Sequence, residues 1–242
     1  MLDDFASQVA GIGALVEPAR RALYLYVAAQ PGPVSRDQAA AGVGLPRHAV
    51  KFHLDKLVDE GLLETEFRRL SNRQGPGAGR PSKLYRRSGR QVTVTLPERR
   101  YDLAGQILAH AIEDAAGEGR PVRESLHRAA ADAGRTLAAK ALATKALATK
   151  ALGTPTATAR TTSLASIAEV LAAQGYEPRI SSDALVLANC PFHTLARDHT
   201  QLVCGMNLAV ITALVVELGH DDITVSLEPG PDRCCVRLRS SC

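Results

Sequence analysis

Hydrophobic residues in the first part of the chain recur at helical spacing and predict three helices. The first is predicted from about Pro18 to Ala29, where the turn Gln-Pro-Gly-Pro follows. Ser35 is placed to cap a short second helix through a capping box with Gln38. A third amphipathic helix opens at Pro46, and its inward-facing residues are Val50, Leu54, Leu57 and Val58.

A basic hairpin is predicted directly after the third helix, which Gly61 ends. Its strands are assigned to Leu63–Leu70 and Lys83–Arg87, with the glycine-rich stretch Gly75–Gly79 between them. Residues 66–90 carry eight Arg or Lys and the single acid Glu66, a net charge of +7 in a chain of +4. The rest of the chain is therefore slightly acidic. A basic patch on such a protein is typical of a face that binds nucleic acid.

The order helix, short helix, turn, helix and basic hairpin predicts a winged helix-turn-helix domain that binds double-stranded DNA. The first turns of its third helix would face base edges, and the hairpin, or wing, would lie along phosphates. His48 and His53 are expected to donate to phosphates more than to bases, and Phe52 is expected in the core. The predicted DNA contacts are Arg47, His48, Lys51 and His53 on the helix, and Arg68, Arg69, Arg73, Arg80 and Lys83 on the wing.

The middle of the chain is predicted to be helical. After a short alternating strand at Val92–Leu96, a helix from Glu98 to about Gly117 carries one apolar face. That face is expected to contact a second protomer, with the core of the same chain as the open alternative. Residues 136–152 repeat TLAAK-ALATK-ALATK-ALG. A five-residue period advances by about 500° per repeat, so the leucines leave any single face, and a solvent-facing helical extension is predicted.

A small α+β domain is predicted at the C-terminal end, after a linker at Thr154–Thr162. An amphipathic helix begins at Ser163, and a long apolar helix spans Val203–Leu218. The predicted strands are Glu177–Ser181, Ala184–Leu187, Ile223–Leu227 and Cys234–Leu238. The chain is thus expected to be α+β, with a winged helix-turn-helix domain at 1–96, a helical dimerisation or connector region at 97–153 and a cysteine-containing sensor domain at 154–242.

Composition argues against a membrane protein and against export. No segment approaches the roughly 20 apolar residues of a membrane span, and the N-terminus carries acids where a signal peptide would be basic. A cytoplasmic location is expected, where thiols stay reduced. An enzyme with Cys190 as nucleophile would need His193 or His199 as base and Asp198 as orienting acid. A basic wing has no role in such catalysis, so we expect no enzymatic activity.

All five cysteines lie between Cys190 and Cys242. Thiolates are soft ligands for iron–sulfur clusters, zinc or copper(I), and imidazole suits zinc and some clusters. The absence of a C-x-x-C motif weakens the zinc-ribbon and thioredoxin-like interpretations. A thiol–disulfide switch and purely structural cysteines are the other possibilities. The candidate metal ligands are Cys190, Cys204, Cys234, Cys235, His193 and His199.

The run RDQAAAGVGLPRHAVKFHLDKLVDEGLL, followed by GAGRPSKLYR, resembles winged-helix repressors of the broad ArsR type. Over about residues 15–105 the chain most resembles the SufR-like iron–sulfur regulators. The resemblance implies a homodimer on a partly palindromic operator, and a cluster, expected to be 4Fe–4S, held by three spread cysteines.

Carried over by position, the ligands implied by this resemblance are Cys190, Cys204 and one of Cys234 or Cys235. The fourth ligand would be the other member of that pair, His193, His199 or an exogenous group. Cys242 would not take part. The alternative is a winged-helix regulator controlled by zinc or by a small-molecule effector, with cysteines that bind no cluster.

Overall fold

The computed structural model describes residues 2–69, 81–152, 163–181 and 183–240, with the backbone alone for residues 2–4 and 148–152. The chain divides into two compact units, Met1–Val94 and Thr95–Cys242, which we call the N-terminal and C-terminal units. Each contains helices and a small antiparallel sheet, so the predicted α+β class is confirmed. The predicted connector region at 97–153 lies within the C-terminal unit.

The N-terminal unit is a helical domain closed by a three-stranded sheet of order β1-β3-β2, with antiparallel pairs. In register, Thr65 of the second strand faces Tyr85 of the third. The elements are α1 (Leu2–Ala14), α2 (Pro18–Ala28), β1 (Val34–Ser35), α3 (Arg36–Val43), α4 (Arg47–Asp59), β2 (Leu63–Arg68) and β3 (Ser82–Arg87).

Local sequence signals set the helix boundaries of this unit. The predicted capping box is confirmed, because Gln38 N–H donates to the Ser35 hydroxyl and the Gln38 side chain accepts from Ser35 N–H. Gly44 ends α3 with a φ of 69°, a left-handed conformation that favours glycine. The predicted inward stripe of α4 is also confirmed, since Val50, Leu54 and Leu57 are fully buried.

Two features of the N-terminal unit differ from the prediction. Helix α1 forms although Gly11 and Gly13 interrupt its apolar pattern. The predicted strand Val92–Leu96 is wrong, because these residues have no regular structure. The Thr93 N–H donates to the Gln8 side-chain oxygen at 2.7 Å, and Val92 packs on the core. Contacts with α1 therefore replace the strand pairing that the alternating pattern predicts.

The C-terminal unit combines helices with a four-stranded antiparallel sheet of order β4-β5-β7-β6. Leu185 and Leu238 face each other at the centre of the sheet, and both are fully buried. The elements are α5 (Tyr101–Glu118), α6 (Val122–Leu152), α7 (Ser163–Ala172), β4 (Pro178–Ser181), β5 (Ala184–Leu187), α8 (His193–Asp198), α9 (Thr200–Glu217), β6 (Ile223–Leu227) and β7 (Val236–Ser240).

Helix α9 forms the centre of this unit and packs along α6. Among the described helices it alone has the length and composition to cross a membrane, and half of it is buried inside the unit. Its buried residues cover most of its circumference, whereas Thr212 and Val216 are exposed on the remaining side, so the apolarity of this helix is that of a core element.

The leucine-lysine repeat lies at the end of α6, which begins well before it, at Val122. Ala130 and Ala138 are buried against the core, whereas Leu142 and Leu147 are exposed. The prediction of a solvent-facing helix is therefore confirmed for residues 142–147 and wrong at the start of the repeat, where Leu137 and Ala138 pack on the core. The side chains of residues 148–152 lie outside the described part of the structure. The alanines on the inner face of α6 allow a close approach to α9.

Gly134 lies where α6 and α9 approach each other closely. A β-carbon at this position would lie 2.2 Å from the Val210 carbonyl oxygen and 3.1 Å from the Ala213 β-carbon. We expect Gly134→Ala to cost about 1–3 kcal/mol of unfolding free energy, because the helices must separate. In thermal denaturation this corresponds to a fall of roughly 2–10 °C in Tm.

The matched control for this prediction is Gly105→Ala in α5, where nothing lies within 4 Å of the added carbon. Alanine has a higher helix propensity than glycine, so this variant should gain up to about 1 kcal/mol. Equal Tm values for the two variants would contradict the close packing described for Gly134.

Strand β7 begins at Val236, two residues later than predicted. Cys234 and Cys235 thus precede the strand, and Cys235 lies in a bend. Adjacent residues of a regular strand point to opposite faces of the sheet. Outside the strand, both thiols are free to turn toward the same place.

Candidate DNA-binding face and cysteine cluster

The first turns of α4 present basic side chains to solvent. Arg47, His48 and Lys51 are all exposed, as a recognition helix requires. The expectation that Phe52 lies in the core is wrong, because its side chain is 68% exposed. It follows the buried Val50 by two residues, which is about 200° around the helix. Phe52 therefore shares the exposed face with the basic residues.

Two of the predicted DNA contacts lie beside carboxylates: Arg47 is hydrogen-bonded to one, whereas His53 is only near one. The Arg47 guanidinium pairs with the Asp37 carboxylate of α3, with a hydrogen bond of 2.6 Å from Nε to Oδ1. The His53 Nδ1 lies 3.6 Å from the Glu17 carboxylate in front of α2, and its side chain is half-buried. Arg47 is thus oriented in advance, whereas the His53 ring faces the helix bundle.

Asp55 ties the wing to the recognition helix. Its carboxylate accepts hydrogen bonds from Lys83 Nζ at 2.7 Å and from the Tyr85 hydroxyl at 3.1 Å, both on β3. Burial alone would raise the pKa of Asp55, but these two hydrogen bonds outweigh it and lower that pKa. The same bond raises the pKa of Lys83. Lys83 is therefore fixed against α4, a role that the sequence did not indicate.

The remaining wing residues are placed only in part. Arg68 lies 3.7 Å from Glu66, and Arg69 is exposed. Arg73 and Arg80 lie outside the described residues. Whether the nine predicted residues contact DNA stays a prediction.

Four cysteines from three separate segments of the C-terminal unit come together. Cys190 follows β5, Cys204 lies in the first turns of α9, and Cys234 and Cys235 precede β7. Their thiols form a hydrogen-bonded series in the order Cys190, Cys234, Cys235, Cys204. All four are free thiols, and three of them are buried. We call this set the cysteine cluster.

The cysteines of this cluster have unequal proton affinities. Hydrogen bonding from Cys234, followed by that from Cys204, outweighs burial and lowers the pKa of Cys235 to about 6. The hydrogen bond with Cys234 likewise lowers the pKa of Cys190. Burial, followed by the hydrogen bond with Cys235, raises the pKa of Cys204 to about 12. The set thus stabilises a first thiolate, since neighbouring thiols donate to it.

Two polar residues that the sequence reading missed support the cluster from inside the core. Asn207 is buried in α9, and its Nδ2 donates to the Cys234 sulfur at 3.2 Å. The Tyr176 hydroxyl donates in turn to the Asn207 side-chain oxygen. Asn207 follows Cys204 by three residues, so both share a face of α9. That spacing is the signal that was available in the sequence.

The two histidines considered as ligands have solvent-exposed side chains. His193 begins α8 and His199 precedes α9, and both side chains are exposed. Within the described ranges, no hydrogen bond joins either imidazole to a cysteine sulfur. Cys242 lies outside those ranges. As ligands, the histidines stay a prediction.

The cysteine cluster has the chemistry of a metal site but not a completed arrangement. In the described part of the chain, no group of three or more His, Cys, Asp or Glu side chains is positioned to hold a metal ion. The thiols instead form hydrogen bonds with one another. Metal binding requires their deprotonation, because thiolates are the ligands. The donor set fits a thiophilic metal or an iron–sulfur cluster, and both call for a rearrangement of the sulfurs.

Residues 15–66 match a family described as a helix-turn-helix domain. The match covers α2, α3 and α4 together with the start of β2, the same elements that present the basic face. It supports a DNA-binding transcription regulator rather than an enzyme. No curated protein and no solved structure matches the chain.

Proposed function

We propose that this regulator senses iron or redox conditions through an iron–sulfur cluster held by the cysteine cluster, and that the cluster sets its affinity for an operator. The observation that carries the proposal is the convergence of Cys190, Cys204, Cys234 and Cys235 on one place. Thiolates brought together from three separate segments are suitable soft ligands for one metal or iron–sulfur cluster. The resemblance to SufR-like regulators supports the same conclusion.

The residues present fit a cluster with four cysteine ligands, expected to be 4Fe–4S. Iron–sulfur clusters are held by thiolates and tuned by hydrogen bonds to sulfur and by burial. Asn207 donates such a bond to Cys234, and the fully buried Phe192 anchors the loop that carries Cys190. A bound cluster would supply sensitivity to oxidants and to iron shortage. The protein would supply the ligands and a largely dry pocket around them.

Zinc is the alternative ligand for the same four sulfurs. A zinc ion needs four ligands in a compact tetrahedron, so the four thiols would have to rearrange around it. Either ligand would join the loop after β5, the start of α9 and the segment before β7. The two differ in how they would be lost from the protein. An iron–sulfur cluster can be lost by oxidation, whereas zinc itself undergoes no redox change.

A small-molecule effector has a weaker structural basis. A groove between α6 and α9 has a volume of about 260 Å³ and is lined by His127, Arg135, Leu208, Thr212 and Val216, among others. Ligand pockets typically measure roughly 300–1,000 Å³ and enclose most of the ligand. The groove is open to one side, so we favour the cysteine cluster as the sensing site.

The DNA-binding half of the proposal is a cytoplasmic homodimer that binds two half-sites of a partly palindromic operator. The exposed Arg47, His48 and Lys51 would address bases and nearby phosphates. Arg68 and Arg69 would supply affinity that does not depend on sequence. Phe52 lies among them and would offer an apolar contact, for example to a thymine methyl group.

The test combines metal analysis with operator binding. The protein is purified without oxygen and analysed for iron, sulfide and zinc, and its visible spectrum is recorded. Duplexes selected from a random pool then serve as operator, and Kd is measured before and after reconstitution with ferrous iron and sulfide, or with Zn²⁺. We expect iron and sulfide in the protein, a brown colour and an operator Kd that changes at least fivefold.

Zinc in place of iron, with a Kd that responds to Zn²⁺, would identify the alternative ligand. Protein that stays colourless and metal-free after both treatments, and that binds the operator with one unchanged Kd, would overturn the proposal.

A further inference from the structure

The segment that enters the C-terminal unit is fastened to the loop that carries Cys190. Residues 95–100 follow directly on Val94, the last residue of the N-terminal unit, and precede α5. The Arg99 guanidinium donates to the Asn189 side-chain oxygen at 2.6 Å and to the Cys190 carbonyl oxygen at 2.7 Å. The Arg100 N–H donates to the Pro191 carbonyl oxygen at 3.1 Å. Three consecutive residues of the cysteine loop therefore hold two consecutive residues of the segment.

Asn189 closes this network from the other side. It is buried, and its Nδ2 donates to the Glu98 carbonyl oxygen at 3.1 Å and to the Gly175 carbonyl oxygen at 2.6 Å. One amide side chain thus contacts the entering segment, the turn after α7 and, through Arg99, the Cys190 backbone. The loss of any one partner would leave a buried polar group unpaired, which costs more than the bond itself contributes.

Arg99 has no carboxylate partner among the described residues, although most other arginines of this unit form ion pairs. Its guanidinium lies close enough to Cys190 to interact with the charge on that sulfur. A cation on neutral oxygens beside four thiols is placed to respond to a change of charge in the cysteine cluster. Deprotonated cysteines that share a metal or an iron–sulfur centre carry negative charge.

We propose that Arg99 and Asn189 couple the ligand state of the cysteine cluster to residues 95–100, the segment through which the C-terminal unit is joined to the DNA-binding unit. Cys190 takes part in both arrangements, through its sulfur in the cluster and through its carbonyl oxygen in the network. A shift of the Cys190 backbone that brings its sulfur to a ligand also moves the carbonyl oxygen that Arg99 holds. Arg99 and Asn189 are positioning residues, since neither touches the ligand. This inference rests on the proposed function.

The experiment compares wild-type protein with Arg99→Gln and with the control Arg135→Gln. Arg135 lies exposed on α6 and pairs with Asp132, so the control removes one arginine and one ion pair from the same unit. Each protein is loaded with ferrous iron and sulfide or with Zn²⁺. Metal content, operator Kd in both states and backbone hydrogen exchange in residues 95–101 are then measured.

We expect all three proteins to load the same amount of metal. The Kd ratio between loaded and unloaded protein should be at least fivefold in the wild type and in Arg135→Gln. It should fall to within twofold of one in Arg99→Gln. Loading should also change exchange at residues 95–101 in the wild type and leave it unchanged in Arg99→Gln.

The outcomes separate this inference from the proposed function. A wild-type Kd ratio of one overturns both. A wild-type ratio above fivefold that Arg99→Gln retains overturns the inference alone. The inference alone is also overturned if Arg99→Gln fails to load metal, because Arg99 would then support the metal site itself. If Arg99→Gln does not fold, hydrogen exchange in the wild-type protein decides the question. Exchange at residues 95–101 that does not change when metal is loaded overturns the proposed coupling.

Discussion

We expect the Cys234→Ser variant to bind neither an iron–sulfur cluster nor zinc after reconstitution. Cys234 occupies the middle of the cysteine cluster, with contacts to Cys190 and Cys235, and it is only 2% exposed. A serine hydroxyl is a much harder ligand than a thiolate and stays protonated. The loss of metal affinity should exceed the roughly 10–100-fold effect of changes in the second shell. Bound iron, sulfide and zinc per chain, together with the visible spectrum, measure the result.

Serine suits this experiment because its oxygen can still accept the hydrogen bond from Asn207, so the fold should be retained. Circular dichroism and Tm of the metal-free proteins check this point. Cys242→Ser is the matched control, since this cysteine is predicted to be a bystander, and it should load metal as the wild type does. Normal loading by Cys234→Ser would contradict the assignment of Cys234 as one of four cysteine ligands.

The second large effect is expected at the recognition helix. Lys51→Glu reverses a charge on the exposed face of α4, next to Arg47 and His48. We expect a loss of about 1–3 kcal/mol in operator binding, or roughly 5- to 150-fold in Kd. The cause is the loss of a contact to base or phosphate and the added repulsion from the DNA backbone. Fluorescence anisotropy at several salt concentrations gives both the Kd and the salt dependence, which should become less steep.

Lys140→Glu provides the matched control for this charge reversal. Lys140 is exposed on α6 in the leucine-lysine repeat, which is expected to be a solvated face. Its Kd for the operator should stay within twofold of the wild type. If Lys140→Glu weakens binding as strongly as Lys51→Glu does, the repeat and not α4 alone would take part in DNA binding.

The two experiments probe different units of the chain, so their results can be combined. Cys234→Ser should abolish the response to metal but still bind the operator. Lys51→Glu should weaken operator binding and leave metal loading intact. A double variant should show both losses independently. A failure of Lys51→Glu to load metal would indicate a folding defect instead of a lost DNA contact.

Much of the fold was available from the sequence where local rules operate. The capping box at Ser35, the left-handed Gly44 and the buried stripe of α4 depend on residues within one or two turns of one another. The strand Ile223–Leu227 matches its prediction to the residue, and a turn at residues 221–222 directly precedes it. The strand predicted at Val92–Leu96 failed, since an alternating pattern cannot show whether a pairing partner exists.

What the sequence by itself determined is the existence and order of most of the helices and strands, the basic recognition helix and the concentration of cysteine in one region. Only the tertiary structure decided that Cys234 and Cys235 precede β7, so that both thiols join Cys190 and Cys204. The same holds for Arg99, Asn189 and Asn207, whose partners lie far away in sequence. The physical reason is that spacing along the chain sets only short-range geometry, whereas these contacts arise from the packing of separate elements around a shared core.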